Sequence, residues 1–159
     1  MKLLDLVHPK AIVPNMQSRD RSGAIRELVQ ALADAEQIEP SAVEGVVKSI
    51  TARERTRGTT GFGKGVAAPH AKLEVLSRAV AAVGRSPRGI DFNSLDGEPV
   101  FGLFLLLSPA DRPEEHLQAM DLIFRHLQQE RFRKFLRQSD DREKIYDLLR
   151  EADEQLLLT

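Results

Sequence analysis

The sequence predicts a single α/β domain in which helices cover both faces of a small mixed sheet, giving a three-layer α/β/α sandwich. Residues 100–107 are almost entirely apolar, which is typical of a central strand buried on both faces. Apolar residues at helical spacing occur both before and after this run, so helices are available for either face. The chain has 159 residues, 42% of them hydrophobic, and we expect residues 1–159 to form one domain around one core.

Two helices are predicted before the sheet. Between Arg21 and Ala35 the apolar residues recur at helical spacing, and either Ser18 or Asp20 is suited to cap the first turn. A second helix is expected to open at Pro40, because proline is favoured in the first turn, and to end before Gly58.

Short strands are predicted at residues 66–68 and 79–83, in addition to the apolar run. Residues 84–97 contain proline, glycine and asparagine, and we interpret them as a connecting loop. From Glu114 onward the apolar spacing becomes helical again and predicts three successive helices.

Composition excludes several classes of function. The formal net charge is −1, from 23 basic and 24 acidic residues, so no overall field favours a nucleic acid or an anionic membrane surface. The chain has no cysteine, which excludes disulfides and fits a reducing compartment. No segment approaches the roughly 20 apolar residues of a membrane span. We therefore expect a cytoplasmic protein with no nucleic acid partner and no membrane insertion.

The segment from Gly58 to Lys72, GTTGFGKGVAAPHAK, carries the strongest functional signal. Its glycines let the backbone turn and approach a ligand closely, and its two threonines supply hydroxyl donors. A short apolar strand then leads to Pro69 and His70. The pattern indicates a histidine held beside an anion.

This segment resembles the signature T-G-x-G-x-G-x-A-x-P-H-x-K/R of the fructose/mannitol-type enzyme IIA (EIIA type 2) domains of the bacterial phosphoenolpyruvate-dependent phosphotransferase system (PTS). The similarity is strongest to their nitrogen-regulatory (PtsN-like) branch, and it covers nearly the whole chain. The phosphorylated histidine of that family corresponds to His70. A second stretch, LLLSPADRPEEHL at residues 105–117, resembles the strand–loop–helix element of the family and implies that His116 lies beside His70.

The resemblance implies a histidine phosphotransferase component. Such a protein would accept a phosphoryl group onto His70 from an HPr-like phosphocarrier protein. It would then pass the group to a downstream transporter domain in sugar transport, or use it as a signal to a regulatory target, as in nitrogen regulation. Neutral imidazole is a competent nucleophile near pH 7, so the transfer needs no cofactor and no metal.

The negative charge of the transferring group has to be balanced by nearby donors. We expect the hydroxyls of Thr59 and Thr60, the backbone amides of the glycine loop at Gly61 and Gly63, and the imidazole of His116 to supply them.

The family also supplies an arginine from the helix before the glycine loop, in a stretch R-E-R/K-L-G-S/T-T-G. The corresponding stretch here, RERTRGTTG, is one residue longer between the arginine and the glycine. Arg53 matches best, and Arg55 or Arg57 remains an alternative if the insertion shifts the end of the helix. Lys72 and Ser108 are further candidates because they lie within the two motifs.

Two alternatives from other classes remain. The first is a non-enzymatic regulatory module on the same fold, whose phosphorylation state or shape selects a partner. The second is a P-loop nucleotide-binding enzyme, because Gly58-x4-Gly63-Lys64 satisfies most of that pattern. Position 65 is glycine where Mg²⁺ coordination requires Ser or Thr, and the loop follows a helix where a P-loop follows a strand.

His126 lies ten residues after His116 on the same predicted helix. At about 100° per residue its direction differs from that of His116 by about 80°. We expect it at the surface, outside the site.

Overall fold

A six-stranded mixed sheet lies between two layers of helices in the computed structural model, which describes residues 1–158, with side chains described through residue 155. Thr159, the last residue of the predicted domain, lies outside the described residues. The strands are β1 Val7–Val13, β2 Gly61–Gly63, β3 Val66–Ala67, β4 His70–Leu73, β5 Val80–Ile90 and β6 Val100–Pro109. The helices are α1 Leu3–Leu6, α2 Arg21–Asp34, α3 Val43–Arg57, α4 Pro113–Leu127, α5 Glu130–Gln138 and α6 Arg142–Leu158, with a 3₁₀ turn at Pro40–Ala42 before α3.

The strand order is β1-β5-β6-β3-β2, and β4 also pairs with β6. Strand β5 is antiparallel to β6, whereas β3 and β4 pair with β6 in parallel, one after the other. The three-layer α/β architecture with a mixed sheet is confirmed. No helix in the described part of the chain is both long and apolar enough to cross a bilayer.

Strand β6 is buried on both faces, as its apolar sequence predicts. Leu103, Leu105 and Leu107 pack into the core formed with α2 and α3. Phe104 and Leu106 point to the opposite side, into the core formed with α1, α4, α5 and α6. The strand period of two therefore assigns alternate residues of one segment to two separate hydrophobic cores.

The helix boundaries before the sheet follow local capping chemistry. The Asp20 carboxylate accepts a hydrogen bond from the Gly23 amide at 2.8 Å, so Asp20 is the cap of α2. Helix α3 ends at Arg57, and the next residue, Gly58, has a φ of 96°, a conformation that favours glycine.

The prediction of a loop at residues 84–97 is wrong in its first half, because β5 continues through Ile90. Pro87 and Gly89 suggested a break, yet the strand accommodates both by an irregularity in its pairing with β6. Gly89 takes a φ of 86°, and its amide donates to Ser86 Oγ at 3.0 Å. A local side-chain acceptor therefore compensates for the interrupted strand pairing.

Strands β1, β2 and β4 were not predicted, because each lacks a clear alternating pattern. Strand β1 contains Pro9 and pairs irregularly with β5, β2 lies inside the glycine loop, and β4 directly follows Pro69. Their pairing with the central strands makes them strands in the folded protein.

The expectation that His126 lies at the surface is wrong. His126 is 2% exposed, and its ring lies 5.4 Å from that of Phe132. Helix α4 buries a wide face, because the sheet, α1 and α5 all contact it. A rotation of about 80° away from His116 therefore still points into the core.

We predict that Gly84→Ala lowers the free energy of unfolding by about 1–3 kcal/mol, because it overpacks a filled core. A Cβ at Gly84 would overlap Met16 Sδ and approach Leu28 Cδ2 to 2.9 Å. Gly45→Ala, in α3, is the matched control, since its Cβ would meet nothing within 4 Å.

Gly45→Ala should raise the free energy of unfolding by up to about 1 kcal/mol, through helix propensity alone. Urea unfolding of the two variants measures both changes. Equal stability of the two would contradict the packing described at Gly84.

Candidate active site

Two histidines meet at the end of the sheet where β6 runs into α4. His70 opens β4 opposite Leu106 of β6, and His116 lies in the first turn of α4. Because Ala71 packs against the α2/α3 core, the alternation of strand residues points His70 to the α4 side. The two ring centroids are 5.3 Å apart with planes inclined at 53°, which confirms that the two motifs come together.

Main-chain contacts fix the tautomer of His70. Its Nδ1 lies 2.9 Å from the carbonyl oxygen of Ala68. A carbonyl can only accept a hydrogen bond, so Nδ1 carries the hydrogen and the neutral ring has its lone pair on Nε2. Burial lowers the pKa of His70 below its usual value, and the charges of Arg53 and Lys72 lower it further, against the opposing effect of the Ala68 bond. His70 is therefore neutral and nucleophilic near pH 7.

His116 is held by a hydroxyl on the central strand. Its Nδ1 lies 2.9 Å from Ser108 Oγ, and both residues are buried. Burial, followed by the charges of His70, Lys72 and Arg53, lowers the pKa of His116 to about 4. The second imidazole is therefore also neutral near pH 7, and Ser108 fixes its orientation.

The structure brings one of the three predicted arginines to the histidines. Among the described residues, Arg53 is the only one of the three whose charge shifts the pKa values of both His70 and His116. Arg53 is half-buried, whereas Arg55 and Arg57 are exposed. Of the three candidates, Arg53 is therefore the one whose charge acts on both histidines, a choice that the insertion left open in the sequence.

The two threonine hydroxyls already have acceptors within the protein. Thr60 donates its hydroxyl and, at 2.8 Å, its backbone amide to the Glu54 carboxylate. Thr59 donates its hydroxyl to the Phe92 carbonyl oxygen at 3.1 Å and accepts from the Gly61 amide at 3.0 Å. A hydroxyl has a single proton, so the expectation that both hydroxyls are free to donate to a phosphate does not hold in this arrangement.

Glu54 is a residue of this site that the sequence analysis did not identify. It is 3% exposed and accepts both donors of Thr60. Burial raises its pKa, and the Thr60 hydrogen bonds and the charges of Arg21 and Arg53 oppose that rise. The Thr60 carbonyl accepts in turn from the Ala68 amide at 3.2 Å. Glu54 thus supports the segment that orients His70. Its position beside Arg53 in the RER stretch is the feature of the sequence from which it could have been identified.

The glycine loop extends away from the histidines. Gly61 pairs with Ala67, while Gly63 pairs with Val66, which lies opposite Gly102 of β6. Gly102 precedes the partner of His70 by four residues, so about 13 Å of strand separate the two positions. The structure does not bring Gly63 to the histidine pair, and the Gly61 amide is already bonded to Thr59.

The P-loop alternative considered from the sequence finds no geometric support. The segment from Gly58 to Lys64 follows helix α3 and leads into strand β3, whereas a P-loop follows a strand and opens a helix. Within the described residues, no group of three or more His, Asp or Glu side chains is placed to hold a metal ion.

Comparison with known proteins finds the same family by sequence and by structure. Residues 5–152 match the family model described as "Phosphoenolpyruvate-dependent sugar phosphotransferase system, EIIA 2". A nitrogen regulatory protein of Bradyrhizobium diazoefficiens is 38% identical over 149 residues, which cover 94% of this chain and 95% of that protein. A PTS fructose-specific EIIA component of Haloferax volcanii is 32% identical over 154 residues, covering 97% and 93%. The crystal structure of nitrogen regulatory protein IIA-Ntr from Neisseria meningitidis matches with a TM-score of 0.80 at 26% identity, covering 91% of this chain and 97% of that one.

We predict that both site histidines bind a proton more weakly than a free imidazole, with His116 gaining its proton near pH 4. Because His116 binds a proton more weakly when folded than when unfolded, the unfolded state holds more protons between pH 6.5 and pH 4. The contribution of His116 to the free energy of unfolding should therefore be constant above pH 6.5 and fall by about 3 kcal/mol as the pH drops to 4. NMR titration of the imidazoles and urea unfolding at several pH values measure the two effects.

His116→Gln is the control variant, since glutamine keeps polar atoms near Ser108 but does not titrate. Its unfolding free energy should depend less steeply on pH in this range than that of the wild type. An unchanged slope, or a His116 that titrates near its usual value, would contradict the burial of this ring.

Proposed function

The chain belongs to the EIIA 2 family of the phosphoenolpyruvate-dependent sugar phosphotransferase system, and we propose that it is a phosphoryl carrier whose His70 accepts the group from an HPr-like phosphocarrier protein. The single observation that carries the proposal is the hydrogen bond from Nδ1 of His70 to the Ala68 carbonyl. It leaves Nε2 as the nucleophilic nitrogen on a ring that is only half-buried, so a protein partner can reach it.

In the proposed transfer, the lone pair of His70 Nε2 attacks phosphorus, and the bond between phosphorus and the donor's imidazole nitrogen breaks. The electron pair of that bond returns to the donor ring. Positive charge develops on the His70 ring as the new P–N bond forms. The Nδ1–H group keeps its hydrogen bond to the Ala68 carbonyl oxygen, and this hydrogen bond stabilises the positive charge.

The neighbouring groups would stabilise the transferred phosphoryl group. The positive charges of Arg53 and Lys72 act on His70. When Ser108 donates its hydroxyl to Nδ1 of His116, the hydrogen of that ring is on Nε2, where it can donate to a phosphoryl oxygen. We therefore assign His70 as the nucleophile and Arg53 and His116 as the groups that hold the phosphate, with Lys72 adding charge.

We propose regulation as the physiological role, ahead of sugar transport. The nitrogen regulatory protein of B. diazoefficiens covers almost the full length of this chain at 38% identity, against 32% for the fructose-specific component. In the regulatory role, the downstream partner would be a regulatory target protein. In the transport role, it would be a transporter domain. The proposed donor places the reaction in the cytoplasm.

We predict that His70→Ala abolishes phosphorylation, because it removes the nucleophilic nitrogen. The protein would be incubated with phosphoenolpyruvate, enzyme I and the phosphocarrier, followed by intact mass measurement and tests of acid and base lability. The wild type should gain one acid-labile, base-stable phosphoryl group. His8→Ala, which changes a half-buried histidine of β1 outside the site, is the matched control and should be labelled like the wild type. Full labelling of His70→Ala would reject the assignment.

We predict that Arg53→Gln slows phosphoryl transfer by about 10- to 100-fold, since a charge-assisted hydrogen bond contributes about 1.5–3 kcal/mol. Arg55→Gln and Arg57→Gln make the same change of charge on the same helix, and each should retain the wild-type rate within about twofold. Single-turnover transfer from the phosphorylated phosphocarrier measures all three. If Arg55→Gln or Arg57→Gln slowed transfer more than Arg53→Gln, the phosphate-binding role would be assigned to that arginine instead.

A further inference from the structure

A cleft of about 890 Å³ lies at the end of β6 that is remote from the histidine pair. It is lined by Phe101 and Gly102 of β6, by the turn before that strand, and by one side of α5. Gly102 precedes Leu106, the partner of His70, by four residues, so about 13 Å of strand separate the cleft from the phosphotransfer site. The proposed function makes no use of it.

Positive side chains converge on this cleft from three separate elements. They are Lys64 from the β2–β3 turn, Arg85 from β5, and Arg133, Lys134 and Arg137 from α5. Three carboxylates, Asp96, Glu98 and Glu130, also line it. In the part of the chain that the structure describes, none of the five cations forms an ion pair with a carboxylate. The cleft therefore has an excess of positive charge that the protein does not neutralise.

Two of the guanidinium groups are held at the wall by main-chain acceptors. Arg85 donates from Nε to the Arg137 carbonyl oxygen at 2.9 Å and from Nη1 to the Pro14 carbonyl oxygen and Asn15 Oδ1, each at 3.3 Å. Arg133 donates from Nη1 to the Leu127 carbonyl oxygen at 2.9 Å. A guanidinium has five N–H donors, so both retain donors after making these bonds. Fixed guanidinium groups bind an anion without the entropy loss of ordering free side chains.

Lys64 is held in an unfavourable backbone conformation at the opposite wall. Its φ is 62°, in the left-handed region where glycine is favoured, although it lies between two glycines. The backbone amide of Lys64 donates to Asp96 Oδ2 at 3.0 Å, which fixes the turn. Since the ammonium of Lys64 has no described protein partner, the strained turn presents a cation to the cleft.

The geometry points to this cleft as a binding site for a small phosphate ester or diphosphate that is not a nucleotide. Guanidinium and ammonium groups from several directions suit the multiple oxygens of phosphate, and the volume suits a small organic ligand. Phe101 is the one aromatic side chain of the lining, and the Arg137 guanidinium lies 3.6 Å from its ring centroid. That face is therefore not available for a nucleotide base to stack on.

Titration with inorganic pyrophosphate tests the proposal in the full chain, with amide chemical shifts to locate binding and calorimetry to measure affinity. Shifts should centre on Lys64, Gly65, Gly102 and Arg137. Lys64→Gln removes a positive charge that has no described protein contact. It should weaken pyrophosphate binding roughly tenfold, as expected for a lost charge-assisted hydrogen bond. Arg137→Gln should weaken it similarly.

Arg131→Gln is the matched control. It makes the same change of charge on α5, but Arg131 lies over Phe135, outside the cleft, and its loss should leave the affinity within about twofold of the wild type. Equal weakening by Arg131→Gln would show a general charge effect and overturn the proposal. Shifts centred on His70 and His116 would also overturn it, because pyrophosphate would then occupy the phosphotransfer site.

Citrate at the same ionic strength distinguishes phosphate from other multivalent anions. Weaker binding of citrate than of pyrophosphate is the expected result, and equal binding would overturn the assignment to phosphate compounds. The test is independent of the proposed function. If His70→Ala were still phosphorylated, the proposed role of His70 would fail, but the effect of Lys64→Gln on pyrophosphate binding would not change.

Discussion

Strand β6 is paired along both edges and, from Gly102 to Pro109, buried on both faces, and the site depends on that constraint. Strand β5 pairs along one edge, β3 and β4 pair along the other, and both helical layers pack on its faces. A strand enclosed in this way has its register fixed, because a shift by one residue would exchange the two cores. The register places His70 opposite Leu106 and aims Ser108 at the start of α4. The geometry of both histidines is therefore a consequence of how the core is packed.

Main-chain atoms, more than side chains, orient the proposed nucleophile, His70. The Ala68 carbonyl fixes the His70 tautomer, and the Thr60 carbonyl holds the Ala68 amide. The buried carboxylate of Glu54 holds Thr60 through two donors. A buried carboxylate without these hydrogen bonds would be strongly unfavourable, so the contacts stabilise one conformation of the whole segment. Thr60, which was expected to bind phosphate, thus links Glu54 to Ala68, the residue that orients the imidazole.

The sequence predicted what depends on residue type and local spacing. The apolar run gave the central strand, and the two motifs gave the histidine pair, because each motif combines a recognisable pattern with a definite place at a strand end. It failed where a contact between distant segments decides the outcome. Strand β5 continues past Gly84 because β6 lies beside it, and His126 is buried because several elements cover α4. The choice among the three arginines after the insertion likewise required the folded structure, which shows that the charge of Arg53 acts on both histidines.

The cations near His70 favour both of the states that the proposed function requires, the neutral ring and the phosphorylated ring. Before transfer, burial and these positive charges lower the pKa of His70 and keep its ring neutral, as nucleophilic attack requires. After transfer, the phosphoryl group would place up to about two negative charges beside the same cations, which then stabilise it. Leu106, directly opposite His70, is fully buried in a core that provides no hinge. A change of charge at this position would therefore be sensed by a partner as altered electrostatic complementarity at the surface, with little movement of the backbone.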